Sequence, residues 1–174
     1  NLSNEFDATI LLKREDLHIV RSYKIRDAYN KISSLTDTEK KQGIVCASAG
    51  NHAQGVAFSC NLLQIKGKIY MPKTTPKQKI KQVQLFGKSF VEIELIGDTF
   101  DDAYAKAVAD AKENNKIFIH PFDDVKVIAG QATVGLEILE SHQQPIDYIF
   151  VPIGGGGLSA GLSTVFKELS PYTK

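Results

Sequence analysis

The sequence has no tryptophan, a single methionine and only two cysteines among its 174 residues. Cys46 and Cys60 form no Cys-x-x-Cys pair, and no closely spaced histidines follow them, which excludes a zinc-finger pattern. We expect both to be buried thiols of a protein kept in a reducing compartment. No metal-ligand spacing links the four histidines, so we assign no metal site to His18, His52, His120 and His142.

The sequence also lacks an excess of charge of either sign and any long hydrophobic run. It has 21 Lys and Arg against 20 Asp and Glu, a net charge of +1, which offers no basic surface for nucleic acid. No apolar run is long enough to span a membrane, so we expect no membrane partner. No secretory signal is visible. The sequence begins at Asn1 rather than Met. We expect a cytoplasmic protein, or an organellar one if a leader has been removed.

Short apolar segments alternate along the chain with segments of helical periodicity. Strands are predicted at residues 8–13, 44–47, 68–71, 90–95, 117–119 and 148–152. Helices are predicted at residues 22–35, 36–42, 51–63, 76–86, 99–113, 125–141 and 158–169. Because strand and helix alternate with short links, we predict an open α/β fold of mostly parallel sheets with helices on both faces.

Four consecutive glycines follow the strand predicted at 148–152 and precede a predicted helix. Ligands of open α/β sheets bind where strands end and helices begin. Backbone N–H groups of such a loop, at the positive end of a helix, can bind a phosphate without a cationic side chain. A close-packed turn would also use glycine. The spacing Gly155-x-Gly157-x-x-Ala160 fits a dinucleotide fingerprint loosely, so a nicotinamide-binding dehydrogenase is an alternative interpretation.

A second loop, residues 48–52, follows the strand predicted at 44–47 and has the sequence Ser-Ala-Gly-Asn-His. Its side-chain donors and the start of the next helix could hold a carboxylate. The alternative is a tight turn with a helix cap.

Lys24 lies at the start of an amphipathic helix, between Tyr23 and Ile25. Burial at the positive end of a helix disfavours the charged form of an amine, which makes a lysine nucleophilic toward a carbonyl. The alternative is an ordinary solvated lysine.

Taken together, three segments resemble the serine/threonine dehydratase family, a group of fold-type II pyridoxal-phosphate enzymes. They are SYKIR (residues 22–26), SAGNHAQGVA (residues 48–57) and GGGGL (residues 154–158). Three further segments favour the threonine dehydratase branch of that family, namely KREDL (13–17), TTPKQK (74–79) and GDTFDDA (97–103). The resemblance covers nearly the whole chain.

The resemblance implies a role for each matching residue. Lys24 would form the covalent link to pyridoxal 5'-phosphate, and Tyr23 would pack beside that cofactor. The phosphate would be wrapped by Gly154, Gly155, Gly156, Gly157 and Leu158. Asn51 would hydrogen-bond the 3-oxygen of the cofactor ring. The pocket for the substrate carboxylate would be lined by Ser48, Ala49, Gly50, Asn51 and His52.

The implied reaction is the elimination of the β-hydroxyl of L-threonine, which yields 2-oxobutanoate and ammonia, with the cofactor as electron sink. It would serve isoleucine biosynthesis or threonine catabolism. Serine dehydratases and serine racemases share these motifs, so either is a second interpretation. An inactive fragment is a third. A homo-oligomer is expected from the family.

The sequence departs from the family pattern at one residue and in length. Asp27 stands where the family usually has glycine, and it shares a helix face with Lys24. A carboxylate there favours the protonated amine. Family catalytic domains run well beyond 174 residues, so we expect a missing C-terminal part and an inactive isolated piece. By analogy, residues 1–42 and 125–174 would belong to a larger cofactor domain, and residues 43–124 to a smaller one.

Overall fold

The computed structural model describes residues 1–174, which form eight α-helices, four β-strands and two short 3₁₀ helices. The strands are β1 (Ile44–Ala47), β2 (Gly67–Met71), β3 (Val91–Leu95) and β4 (Ile117–Phe118). The helices are α1 (Leu2–Phe6), α2 (Lys24–Ser33), α3 (Asp37–Gln42), α4 (Asn51–Leu63), α5 (Lys77–Gly87), α6 (Phe100–Glu113), α7 (Val125–Ser141) and α8 (Gly157–Leu169). The 3₁₀ helices are Glu15–Leu17 and Lys88–Phe90.

The four strands form one parallel sheet in the order β3-β2-β1-β4. In the register of this sheet, Ile44 lies opposite both Gly67 and Ile117, and Gly67 lies opposite Val91. Every connection between neighbouring strands therefore crosses over through a helix. The predicted α/β fold with a parallel sheet is confirmed.

Alternate residues of β1 face opposite sides of the sheet, and helices cover both sides. Ile44 and Cys46 belong to a core cluster of 15 buried residues that includes side chains of α2, α4 and α5. Val45 and Ala47 pack instead with Ala103 and other residues of α6. All four residues of β1 are buried, as expected for an inner strand of a parallel sheet.

Two predicted strands are wrong, because neither has a strand beside it. Residues 8–13 are extended but unpaired, and Leu11 and Leu12 are exposed. Residues 148–152 make a single pair of strand-like backbone bonds: Ile149 donates to the carbonyl of Lys174, and Lys174 donates to that of Asp147. An apolar alternation marks a chain that could pair, whereas a strand exists only where a partner supplies the hydrogen bonds.

Side chains and backbone conformation at residues 36–43 define both ends of α3. Thr36 caps α3 through a reciprocal capping box with Glu39, and Gly43 ends that helix with a φ of 82°. The helix predicted at 22–35 is shorter at both ends and spans Lys24–Ser33. None of the helices combines the length and the apolar composition needed to cross a membrane.

Candidate functional site

A cavity of about 130 Å³ lies between the start of α2, the segment after β4 and the tetraglycine loop before α8. It brings together Lys24, Tyr23 and the phosphate-loop residues predicted from the sequence. The lining also includes side chains that the sequence did not single out. The lining residues are Tyr23, Lys24, Pro121, Phe122, Gln131, Pro152, Gly154, Gly155, Gly156, Gly157 and Leu158.

The glycines of the loop serve different steric purposes. A Cβ on Gly155 would lie 2.3 Å from the Phe122 ring, and one on Gly157 would lie 2.6 Å from Gln131 Oε1. Gly156 has a φ of 87°, a conformation that residues with a Cβ rarely adopt. A Cβ on Gly154 would meet nothing within 4 Å. Close packing and backbone conformation thus explain three of the four glycines.

The loop also presents free hydrogen-bond donors. No backbone N–H group from Gly154 to Leu158 donates to another group of the protein. These donors stand at the start of α8, a helix of 13 residues whose dipole places partial positive charge there. An anion of the size of a phosphate is the natural partner of such an arrangement.

Lys24 is a largely buried residue, so the alternative of a solvated surface lysine is wrong. Its side chain is 14% exposed, and its ammonium lies 2.9 Å from Asp27 Oδ2. The same ammonium donates to the carbonyl of Pro121 and lies 5.5 Å from the centroid of the Tyr23 ring. Burial, with a smaller contribution from the charge of Asp27, raises the pKa of the Tyr23 hydroxyl.

Asp27 connects Lys24 to two further buried side chains. Its Oδ2 accepts a hydrogen bond from the Gln131 amide, and its Oδ1 lies 3.7 Å from His52 Nδ1. His52 Nε2 donates to the carbonyl of Ile119 over 3.2 Å. The helix-face relation between Asp27 and Lys24 predicted from the sequence is confirmed as a close ion pair.

Two close helix contacts fix the position of Lys24. A Cβ on Gly55 of α4 would lie 2.2 Å from the Lys24 carbonyl oxygen, and one on Gly130 of α7 would lie 2.6 Å from that of Arg26. The Arg26 guanidinium also donates to Glu15 and Glu137. Arg26 is the main cause that lowers the pKa of Glu137 to about 2. Helix α2 is therefore held from both sides.

The loop at residues 48–52 contributes to the site only in part. Ser48 is nearly buried, and its Oγ accepts a hydrogen bond from the Gly50 N–H, while Gly50 caps α4 without a side-chain bond. Asn51 is exposed. His52 reaches Lys24 through Asp27, whereas Ser48, Ala49, Gly50 and Asn51 do not line the cavity. Their roles toward a substrate carboxylate and a cofactor ring remain predictions.

Sequence analysis missed Pro121, Phe122 and Gln131. The first two follow β4, which pairs with β1, so their loop lies at the same sheet edge as residues 48–52. The rule that ligands bind at the carboxyl ends of parallel strands could have found them. No local signal marks Gln131, which lies inside α7. Beside this loop, burial lowers the pKa of His120.

Comparisons with known proteins show which family this chain resembles over its whole length. The sequence model of the family described as pyridoxal-phosphate dependent enzyme matches residues 1–174. The biosynthetic L-threonine dehydratases IlvA of Halalkalibacterium halodurans and Bacillus subtilis are 54% and 53% identical over 173 residues, 99% of this chain. The chain spans only 42% and 41% of the lengths of these relatives.

Solved structures show the same relationship. Processed threonine deaminase isoform 2 from Solanum lycopersicum superposes with a TM-score of 0.95 at 44% identity, over 99% of this chain and 47% of that one. Maize serine racemase superposes with a TM-score of 0.86 at 34% identity, over 92% of this chain and 47% of that one.

The residues present fit pyridoxal phosphate. The free N–H groups at the start of α8 suit its phosphate, and the Lys24 amine lines the same cavity. A nicotinamide-binding dehydrogenase has no comparable support, because the glycine loop follows no paired strand in this structure. Because the family model matches all residues 1–174, the chain belongs to the pyridoxal-phosphate dependent enzymes.

Proposed function

We propose that the protein that contains this chain deaminates L-threonine to 2-oxobutanoate and ammonia. The observation that carries the proposal is that Lys24 and the tetraglycine loop line one cavity. The names of the relatives, biosynthetic L-threonine dehydratase and threonine deaminase, support this substrate and reaction. We infer a place in isoleucine biosynthesis rather than in threonine catabolism because those relatives are named biosynthetic.

Bound pyridoxal phosphate supplies an electron sink that makes the α-proton of an amino acid removable. In our proposal the N–H groups from Gly154 to Leu158 would hold the phosphate, and the Lys24 amine, which lines the same cavity, would be the group that bonds the cofactor. As the amine that lines this cavity, Lys24 Nζ would also be the group placed to accept the α-proton. Pro121 and Phe122, which follow β4, line the same cavity.

The substrate carboxylate would bind at the start of α4. Gly50 is the N-cap of that helix and Asn51 is its first residue, where backbone N–H groups are free and the dipole favours an anion. Asn51 is exposed, which leaves its side chain available for the cofactor ring oxygen that the family resemblance implies. The pocket at Ser48, Ala49, Gly50, Asn51 and His52 is thus a proposal supported by helix position.

A serine dehydratase or serine racemase is the second candidate. The observation in its favour is the superposition on maize serine racemase at a TM-score of 0.86. The division into residues 1–42 with 125–174 and residues 43–124, the homo-oligomer and the cytoplasmic location stay predictions.

The proposed function is tested with the full-length protein. We expect 2-oxobutanoate from L-threonine at a higher kcat/KM than pyruvate from L-serine, and no D-serine. The kcat of the Lys24→Ala variant should fall by about 10²–10⁴-fold or more, since removal of a proton-transferring group costs a factor in that range. Lys41→Ala, which removes an exposed lysine of α3, is the matched control and should keep wild-type kcat.

Three outcomes would contradict the proposal. A preference for L-serine would favour the dehydratase of the second candidate, and formation of D-serine would favour the racemase. Full activity of Lys24→Ala would remove Lys24 from the reaction altogether.

A further inference from the structure

The side chain of His120 organises the turn that follows β4, and the proposed reaction gives it no role. Its Nδ1 accepts a hydrogen bond from the backbone N–H of Asp123 over 2.7 Å and another from that of Phe122 over 3.3 Å. A backbone N–H can only donate, so Nδ1 carries a lone pair and the hydrogen of the neutral ring lies on Nε2. These two bonds therefore define both the charge and the tautomer of His120.

The turn that His120 closes forms one wall of the cavity, because Pro121 and Phe122 both line it. The Pro121 carbonyl accepts a hydrogen bond from the Lys24 ammonium. The Phe122 ring packs so closely against Gly155 that a Cβ on this glycine would lie 2.3 Å from it. A shift of the turn would consequently displace contacts of the amine and of the glycine loop at the same time.

Aromatic contacts add to the hydrogen bonds that hold the imidazole. The His120 ring lies edge-to-face against three neighbouring rings, an arrangement that aromatic pairs prefer. The distances between centroids are 4.7 Å to Phe122, 6.1 Å to Phe118 and 6.2 Å to Tyr104. The position of His120 is thus set by β4 and α6 as well as by its own turn.

Burial is the largest influence on the charge of this imidazole, and it lowers the pKa of His120 below its ordinary value of 6.5. Charged and titratable groups face the ring from three sides. Asp123 and Asp124 of the following segment favour the protonated form, whereas His52 of α4 and Lys24 of α2 disfavour it. The imidazole is therefore mainly neutral at pH 6.5 and gains a proton at lower pH.

We propose that His120 is a positioning residue, whose unprotonated Nδ1 holds the Pro121 and Phe122 wall of the cofactor cavity in place. The inference rests on the proposed function in that this cavity takes pyridoxal phosphate. A proton on Nδ1 would set an N–H group against two backbone donors and break both hydrogen bonds. The wall would then lose its anchor, so cofactor affinity falls as the pH drops and His120 becomes charged.

Nuclear magnetic resonance reads the charge and the tautomer directly. The full-length protein is labelled with 15N in its histidine rings, loaded with pyridoxal phosphate and measured at pH 8. The His120 ring signals are assigned through correlations with the backbone, so this test does not depend on the stability of any variant. We expect a neutral ring with its hydrogen on Nε2. A hydrogen on Nδ1 at this pH would overturn the proposal.

Two variants separate the hydrogen bonds of His120 from its packing. His120→Asn keeps a side-chain acceptor for the turn, as in an Asx turn, but has no titratable group. His120→Phe keeps an aromatic ring and removes the acceptor. At pH 8 we expect His120→Phe to bind pyridoxal phosphate about tenfold more weakly than wild type, because two hydrogen bonds are lost. The affinity of His120→Asn should stay within about threefold of wild type.

The pH dependence of cofactor affinity is a readout that a purely structural role would not move. From pH 8 to about pH 5.5, we expect the wild-type affinity to fall at least about threefold further than that of His120→Asn. Effects of pH on the cofactor phosphate and on Lys24 are common to both proteins. His142→Asn, at the C-cap of α7, is the control and should keep the wild-type pH dependence. Equal pH dependence in wild type and His120→Asn would contradict the proposal.

Failure of this inference and failure of the proposed function give different results. If the function is wrong, the full-length protein forms no 2-oxobutanoate from L-threonine, whatever the cofactor affinity of the His120 variants. If only the inference is wrong, the wild-type protein forms 2-oxobutanoate while His120→Phe binds the cofactor as tightly as wild type.

Discussion

At the scale of single residues, the glycines before α8 combine two requirements that the sequence alone could not separate. Gly155 and Gly157 are small because Phe122 and Gln131 pack against them, and Gly156 is needed for its φ of 87°. The same backbone leaves its N–H groups without partners. The close-packed turn and the free N–H donors that a phosphate site would need, which the sequence presented as alternatives, are therefore compatible in one loop.

Gly157→Ala tests this account of the loop. Its Cβ would lie 2.6 Å from Gln131 Oε1 and 3.0 Å from the Phe122 carbonyl oxygen, so the loop or α7 has to shift. We expect a loss of about 1–3 kcal/mol in the free energy of unfolding. Affinity for pyridoxal phosphate should fall at least about tenfold, since about 1.4 kcal/mol of misplaced contacts corresponds to that factor. Urea unfolding and absorbance titration measure the two effects.

Gly154→Ala is the matched comparison, because its Cβ would meet nothing within 4 Å and its N–H is retained. We expect its free energy of unfolding to stay within about 0.5 kcal/mol of wild type. If Gly154→Ala and Gly157→Ala were equally destabilised, the packing argument for the loop would be wrong.

The residues of the site could be predicted only where a local pattern marked them. Lys24 and the glycines stand in recognisable motifs, and Asp27 stood out as a departure from one. The bond between Gln131 and Asp27 spans 104 positions of the chain, so no local spacing could indicate it. Hydrogen-bond partners of this kind are set by the packing of α2 against α7.

At the scale of elements, the position of α2 decides where Lys24 points. Gly55 of α4 and Gly130 of α7 let both helices approach the α2 backbone more closely than any side chain would allow. Neither glycine ends a helix or makes a turn, so local structure does not explain why glycine stands at these positions. The close contact with the α2 backbone does explain it. In a helix interior glycine is unfavourable by about 1 kcal/mol relative to alanine, which the close packing offsets.

Gly55→Ala should therefore destabilise the protein although alanine favours helix. The added Cβ would lie 2.2 Å from the Lys24 carbonyl oxygen and 2.8 Å from its carbonyl carbon, and these backbone atoms cannot move without displacing α2. We expect a loss of about 1–3 kcal/mol in the free energy of unfolding, measured in urea, and weaker cofactor binding.

The control for this variant is Gln54→Ala, a half-buried neighbour on α4 whose side chain makes no hydrogen bond. It should change the free energy of unfolding by no more than about 0.5 kcal/mol. A Gly55→Ala protein as stable as wild type would show that α2 and α4 can separate freely.

The elements themselves followed from the sequence where periodicity and end signals agreed. The strands between residues 44 and 118 and the helices α3 to α8 lie within a few residues of their predicted bounds. Residues 8–13 and 148–152 were mistaken for strands, because an apolar pattern contains no information about whether a neighbouring strand is available.

At the scale of the whole molecule, the chain matches less than half the length of its curated relatives. It spans 42% of the length of the relative from Halalkalibacterium halodurans, yet it carries both the lysine and the glycine loop. The N-terminal segment is tied to α7 by the ion pair of Lys13 with Glu137, and to α2 by that of Glu15 with Arg26. The parallel sheet could be predicted from the alternation of strands and helices along the chain. The cavity could not, because its lining residues lie far apart in the sequence, from Tyr23 to Leu158.

The central claim is that the Lys24 amine and the loop from Gly154 to Leu158 bind opposite ends of one pyridoxal phosphate. The most direct test is to load the full-length protein with the cofactor, reduce it with borohydride so that any covalent link becomes permanent, and locate the modified lysine by peptide mass spectrometry. We predict one modified peptide, which contains Lys24. Modification of a different lysine, or of none, would contradict the account.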